Sequence, residues 1–266
     1  MRILFFSDII GRSGRDAVKN ALPSIKEKFA PHITIANGEN LAGGTGFSFE
    51  TIDEMRKAGI DFFTTGNHVW KHKDAVEYLN DKSFPVIRPA NYPEIPDVPG
   101  RGYQIVETNM MQKILVINLL GRVFMGINTD CPFRIFDRIL KETCHEKFDA
   151  VFVDLHAEAT SEKIAFGYYV DGRASVVVGT HTHVATRDEK ILPNGTAYIS
   201  DVGMCGPIES VLGIEKELII KHFLTQMPFK TDVASGNSQI NAVFIETDDK
   251  TKQAKSIEFI YDIIRL

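Results

Sequence analysis

Short apolar runs rich in β-branched and aromatic residues recur along the chain, and stretches with helical spacing of apolar positions lie between them. The runs predict strands at Arg2–Phe6, Ile33–Ala36, Phe62–Thr65, Lys113–Asn118, Ala150–Asp154, Ser175–Val178, Ala197–Ile199, Asn241–Glu246 and Ser256–Ile260. The intervening periodicity predicts helices near Arg15–Phe29, Phe49–Lys57, Lys71–Leu79, Phe133–Lys147, Ser161–Tyr169 and Lys216–Thr225. This alternation reads as a layered α/β fold. Ser13, with Asp16 three positions later, reads as the cap of the first helix, and Pro23 within it is expected to kink or split that helix. Pro85, Pro89, Pro93, Pro96 and Pro99 make Phe84–Gly102 an extended connection, because proline removes a donor and disfavours helix before it. The stretch after Met227 reads as an antiparallel hairpin added to the layers. No repeat, low-complexity tract or composition shift marks a boundary, so residues 1–266 are read as one domain.

Composition narrows the class. With 44% apolar and 24% charged residues the chain is of ordinary globular type. At 266 residues it can bury roughly 70–75% of its extended surface and needs no disulfide staples. Cys131, Cys144 and Cys205 are odd in number, widely spaced and without a CxxC pair, which points to a reducing compartment and away from a structural zinc site. The opening MRILFFSDIIG resembles a signal sequence, but Asp8 interrupts its apolar run and no small-residue cleavage site follows. No apolar run approaches the roughly 20 residues of a spanning helix. The net charge of −5 disfavours a stable complex with long nucleic acid. The expectation is a soluble cytoplasmic protein with no membrane partner.

The chemistry gathers where strands end. Asp8 follows the first run; Glu39 and Asn40 follow the second through Asn37-Gly38; Asn67 and His68 follow the third through Gly66; His156 follows Val151–Val153; His181 and His183 follow Val176–Val178 through Gly179. A lone Asp after a strand is ordinarily a turn residue or cap, and a lone His ordinarily a hydrogen-bonded core residue. Five strands ending in groups able to bind a metal are another matter, since layered α/β proteins place their sites at the carboxyl ends of strands. His181 and His183, one residue apart, would point to the same side of an extended backbone. Gly38, Gly66 and Gly179 stand where a chain turns sharply or approaches a ligand. Two carboxylates, two amides and three imidazoles without a thiolate suit Mn, Fe or Zn. They are too many for one tetrahedral zinc and fit two ions roughly 3.5–4 Å apart that share a carboxylate. Arg12 and Arg15 are candidate phosphate contacts, Trp70 a candidate base-stacking residue, and Asp201 and Arg173 candidate groups for orienting imidazoles. His32, His72, His145 and His222 fall outside the pattern.

The ordered blocks Ser7–Gly11 (SDIIG), Asn37–Asn40 (NGEN), Gly66–His68 (GNH), Asp154–Lys163 (DLHAEATSEK) and Gly179–Val184 (GTHTHV) resemble the calcineurin-like metallophosphoesterase superfamily. Together with Arg88–Pro93, Asp171–Ser175, Ile191–Tyr198 and Asp201–Met204, they resemble the YmdB-like bacterial family within it over most of the chain. The resemblance implies a β-sandwich flanked by helices, a dinuclear centre of Fe or Mn with Zn possible, and hydrolysis of phosphodiesters, notably 2′,3′-cyclic nucleotides. It assigns Asp8, Glu39, Asn40 and His183 to one ion and Glu39, Asn67, His156 and His181 to the other, with Glu39 bridging. His68 would protonate the leaving group; another metal ligand or an orienting group is the alternative for it. A phosphomonoesterase, a 3′,5′-cyclic nucleotide esterase, a nuclease and a non-catalytic nucleotide sensor are the alternative functions. The resemblance also implies self-association and, in some members, a small cap beside the catalytic core. Ile10 and Glu39 depart from the wider superfamily, where a His and an Asp are usual, and Asn40 fills the vacancy as in the narrower family.

Overall fold

The computed structural model describes residues 1–265. In chain order its elements are β1 (Arg2–Phe6), β2 (Asp8–Ile9), α1 (Gly11–Phe29), β3 (Ile33–Asn37), α2 (Phe49–Ala58), β4 (Phe62–Thr64), α3 (Lys73–Tyr78), β5 (Tyr103–Glu107) and β6 (Lys113–Leu120). They continue with α4 (Pro132–Glu142), β7 (Ala150–His156), α5 (Thr160–Val170), β8 (Val176–Thr180), β9 (Lys190–Ile191), β10 (Ala197–Ile199), β11 (Met204–Pro207), α6 (Lys216–Thr225), β12 (Ser238–Thr247) and β13 (Ala254–Ile264). One sheet has the order β2-β11-β12-β1-β3-β4 with β13 also paired to β12; the other has the order β5-β6-β7-β8-β10-β9.

Strict alternation along the strands builds the layers. Ile3 and Phe5 of β1 face the second sheet with Ile35 and Val243, meeting Val116, Phe152 and Val178. Leu4 and Phe6 face the other way, under Val18 and Leu22 of α1 and Ile52 and Met55 of α2. On the far side, Ile117, Val153 and Val177 pack under Phe136 and Ile139 of α4 and Phe166 of α5. Both faces of the central strands are therefore covered, which is why β1, β6, β7 and β8 read as largely apolar runs. Within each sheet the parallel strands, β1-β3-β4 and β6-β7-β8-β10, send their carboxyl ends to a common edge. Among the described residues no helix is long and apolar enough to cross a membrane.

All nine expected strands and six helices are present, with shifted ends; β2, β5, β9 and β11 are additional. The additional strands are short or, like β5, a half-buried strand paired to β6, so they lack a clear apolar run. Helix α1 starts at Gly11, so Ser13 is not its cap; its hydroxyl instead donates to Ala234 O at 2.8 Å. Nor does Pro23 split α1, which runs unbroken around that exposed proline. Helix α4 stops at Glu142, short of Lys147. The final hairpin is not an addition at the margin. Residues 240–245 of β12 are almost wholly buried, and the strand lies between β13 on one side and β1 and β11 on the other. Residues 84–102 carry no helix or named strand, as the prolines require.

Candidate metal centre

The common edge gathers the residues that the sequence singled out. Asp8 opens β2, where the chain leaves β1 and pairs with β11; Glu39 and Asn40 follow β3, and Asn67 and His68 follow β4. From the second sheet come His156, the last residue of β7, and His181 and His183, just past β8. Their polar atoms fall into two groups that meet at one carboxylate. In the first, Asn40 Nδ2 lies 3.3 Å from Asp8 Oδ1, 3.3 Å from Glu39 Oε1 and 3.2 Å from His183 Nε2. In the second, His156 Nε2 lies 3.1 Å from the same Glu39 Oε1, 3.0 Å from Asn67 Oδ1 and 3.0 Å from His181 Nδ1. The ligand atoms of Glu39, His156 and His181 all lie within 4.8 Å of one another, which makes them a candidate metal-binding group.

Two of the imidazoles, those of His156 and His183, are tied by the outward nitrogen. His156 Nδ1–H donates to Thr180 Oγ1 at 2.9 Å, and Thr180 donates in turn to Asp154 Oδ1 at 2.7 Å. His183 Nδ1–H donates to Leu212 O at 3.1 Å, and Glu158 Oε2 lies 3.2 Å from His181 Nε2. Such bonds select the tautomer that leaves the inward nitrogen free to bind a metal. The oxygen and nitrogen atoms gather around Asn40 Nδ2 on one side and His156 Nε2 on the other, with Glu39 Oε1 beside both, and the Glu39, His156 and His181 group fits a metal ion. Gly66 fits as well, because a Cβ there would run into Glu39 Oε2 and His156 Nε2. Gly179 is required for a different close approach, to Ser200 O of the neighbouring chain segment, whereas a Cβ at Gly38 would meet the buried side chains of Leu41 and Phe63 at 3.2 Å. None of these three glycines has positive φ, so crowding rather than turning explains Gly66 and Gly179.

Electrostatics in the metal-free protein are those of a site short of positive charge. Burial pushes the Asp8 carboxyl up to about 6, partly opposed by attraction to His183 and His156. Burial also acts on Glu39 and His156, but their mutual attraction and hydrogen bond outweigh it. Glu39 is held well below the usual carboxylate range and His156 is raised to about 9. His181 is pushed down to about 3 by burial and then by repulsion from His156. His68 is lowered too, by burial first. Its Nδ1–H donates to Asn40 Oδ1 at 3.0 Å, and its backbone N–H donates to Glu39 Oε2 at 3.2 Å.

The H-x-H pair is not extended, contrary to the expectation from its spacing. His181 and His183 have φ of 101° and 63°, left-handed values that are strained by about 1–3 kcal/mol for a residue with a Cβ. The support comes from a side chain that sequence reasoning gave no role. Lys163 on α5 is buried and donates to Thr180 O at 2.9 Å and to Asp201 Oδ2 at 2.6 Å. Asp201 Oδ2 accepts from Thr182 N at 3.1 Å and Thr182 Oγ1 at 2.8 Å, pinning the residue between the two histidines. Asp201 thus holds the backbone of the turn and not an imidazole. Asp154 was also missed: buried, it accepts from Asn37 Nδ2 of the first sheet at 3.0 Å and from Thr180 of the second. Its signal was available, as an acid within an apolar strand two residues before His156 and so on the same face.

Other candidates lie elsewhere. Arg173 pairs with Asp137 at 2.6 Å and touches no ligand imidazole. Arg15 is engaged by Glu54 at 2.7 Å, and Arg12 is exposed beside Asp16. Trp70 packs edge-on against Tyr92, with ring centroids 5.2 Å apart, and does not line the cavity over the donors. His32, His72 and His222 bond to partners away from the cluster, and His145 is exposed. The Cys205 thiol is buried and pushed up to about 12, which leaves it inert.

Two face-to-face mixed sheets flanked by helices, with this mixed oxygen and nitrogen cluster on their shared edge, define the metallophosphoesterase fold. The chain belongs to the family of YmdB-like proteins, whose model matches residues 4–260. It is 47% identical over 260 residues, 98% of this chain and 96% of the relative, to the 2′,3′-cyclic-nucleotide 2′-phosphodiesterase of Bacillus subtilis (strain 168). Among solved structures it is similar to a hypothetical protein from Thermus thermophilus, with TM-score 0.90 and 41% identity over 99% of both chains. It is also similar to a novel phosphatase from Mycoplasma pneumoniae, with TM-score 0.91 and 35% identity over 99% of this chain and 93% of that one.

Proposed function

We propose that this chain is a cytoplasmic hydrolase that uses two metal ions to cleave small phosphodiesters, nucleoside 2′,3′-cyclic phosphates foremost. The observation that carries the reading is the sharing of Glu39 Oε1 by two converging donor groups, one around Asp8, Asn40 and His183 and one around Asn67, His156 and His181. The Bacillus relative's name supports the substrate class. Oxygen and imidazole donors without thiolate favour Mn or Fe, with Zn compatible. Held by these residues, metal ions would supply charge neutralisation at the phosphate oxygens and an acidified water as nucleophile at neutral pH.

The protein's own groups do the rest. Asn40 would serve as a ligand by turning its amide over, exchanging Nδ2 for Oδ1 among the acceptors that now surround Nδ2. Thr180 and Asp154 hold His156 and Leu212 O holds His183, so these imidazoles would meet the ions without rearranging. His68 lines a cavity of about 340 Å³ together with Glu39, Asn40, His181 and His183. Its Nε2, the ring nitrogen not directed at Asn40, is the atom that would protonate the ribose alkoxide as it leaves. Burial weakens His68 as a base in the empty site; an anionic phosphate beside it would draw the proton back. Residues 212–231, which carry α6 and contribute Leu212, Ile214 and Thr231 to the cavity wall, are the cap of this reading. Ile220, Phe223 and Leu224 of α6 are exposed and offer an apolar strip for self-association.

The test is elemental analysis of protein purified without oxygen, combined with turnover of 2′,3′-cyclic, 3′,5′-cyclic and aryl phosphate esters. Two ions per chain and fastest turnover of the 2′,3′-cyclic esters are expected. His68→Ala should keep both ions while kcat falls roughly 10²–10⁴-fold. Full turnover with one ion, or a preference for monoesters, would defeat the reading.

A further inference from the structure

The turn beside the cavity runs against the preferences of its own residues. Val211 and Ile214 exchange backbone hydrogen bonds of 2.9 and 3.1 Å, and the two residues between them, Leu212 and Gly213, have φ of 55° and 94°. Two positive φ values in succession make a tight turn suited to Asn-Gly, and a γ-branched aliphatic at the first position is strained. Leu212 is nevertheless 47% exposed, so burial does not repay the strain. Its carbonyl accepts from His183, but any residue could supply a carbonyl. What leucine alone brings is an apolar side chain at the cavity that Glu39, His68 and Ile214 also line. Gly43 and Gly44 line the cavity as well, and a Cβ at Gly43 would meet nothing within 4 Å, so the chamber is roomy there.

We propose that Leu212 is the specificity-determining residue of the site: with Ile214 it forms an apolar shelf against which the substrate's nucleobase lies flat while the phosphate faces the donor cluster. The proposal rests on the cyclic-nucleotide reading above. A flat base has two weakly hydrated faces, and an aliphatic shelf with no donor or acceptor recognises that face without distinguishing one base from another. The volume of about 340 Å³ is within the range of small-ligand sites.

Leu212→Asn separates this role from a structural one, because asparagine suits the left-handed turn better than leucine. The variant should melt no lower than the parent protein. Its kcat/KM for adenosine 2′,3′-cyclic phosphate, divided by that for the base-free 1-O-methylribose 2′,3′-cyclic phosphate, should fall about tenfold, or 1.4 kcal/mol. Leu212→Met, which keeps the apolar surface, should restore most of the ratio. An unchanged ratio, or an equal loss on both esters, would overturn the shelf. Calorimetric binding of adenosine 3′-monophosphate against ribose 3-phosphate reads the same difference without turnover. A protein that cleaves neither cyclic ester but still loses the adenosine preference in Leu212→Asn would refute the cyclic-nucleotide reading and keep the shelf.

Discussion

The two sheets contribute different chemistry to the candidate centre and hold it in place by different means. The first sheet supplies the oxygen donors Asp8, Glu39, Asn40 and Asn67, placed at or just beyond the ends of β2, β3 and β4. Asp8, Glu39 and Asn40 are wholly buried and bonded to one another, without positive φ. The second sheet supplies the nitrogen donors. His156 is still within β7, but His181 and His183 sit on a left-handed turn that strand geometry does not produce. That turn depends on the buried Lys163–Asp201 pair beneath it. The oxygen half is therefore positioned by topology, and the nitrogen half by an ion pair that holds a strained loop. The first is sensitive to loss of a ligand charge; the second is sensitive to loss of its support.

Glu39→Gln should produce the largest effect. It removes the charge common to both donor groups, so elemental analysis should find both ions lost together, with turnover down by about 10³-fold or more. The fold should survive, because His156 can release its proton once Glu39 no longer holds it. Loss of one ion alone would show that the halves do not share this carboxylate. Lys163→Met should behave in the opposite sense. Breaking a buried pair strands Asp201 and should lower unfolding stability by about 3–5 kcal/mol in urea titration. Manganese affinity should weaken by about 10–100-fold through the displaced histidines. Undiminished stability would mean that the turn holds without its pair.

The smallest expected effect is on pH dependence. His156 in the metal-free protein is raised to about 9, above the value of 6.5 for free histidine. The stabilisation from its charged form is thus complete below pH 6.5 and disappears as pH rises through 9. Chelator-treated protein should melt about 2–4 °C lower at pH 9.5 than at pH 6.5 for each kcal/mol of that linkage. With manganese present the trend should flatten or reverse, since ligation needs the neutral imidazole. A flat profile without metal would deny the Glu39–His156 ion pair.

Much of this was legible in the chain itself. Short apolar runs located all nine expected strands, because covered sheets need apolar side chains on both faces and that demand is local. The donors were legible for the same reason: strand ends in a layered fold share an edge, so polar residues directly after apolar runs converge. Lys163 and the conformation of His181 and His183 were not legible. A lysine in a helix reads as solvated, and only the packing of α5 against β8 shows that its charge is buried against Asp201. Likewise Leu212 reads as one more apolar residue until the fold leaves it exposed on a strained turn.

Amino-acid order by itself determined which segments form strands and helices and which side chains follow the strand ends, since these follow from patterns over a few residues. Tertiary structure decided how the edge is held. The Asp154–Thr180–His156 chain, the Lys163–Asp201 anchor and the central place of β12 depend on contacts between residues far apart in the chain. Their energies depend on burial, which exists only once the layers have closed.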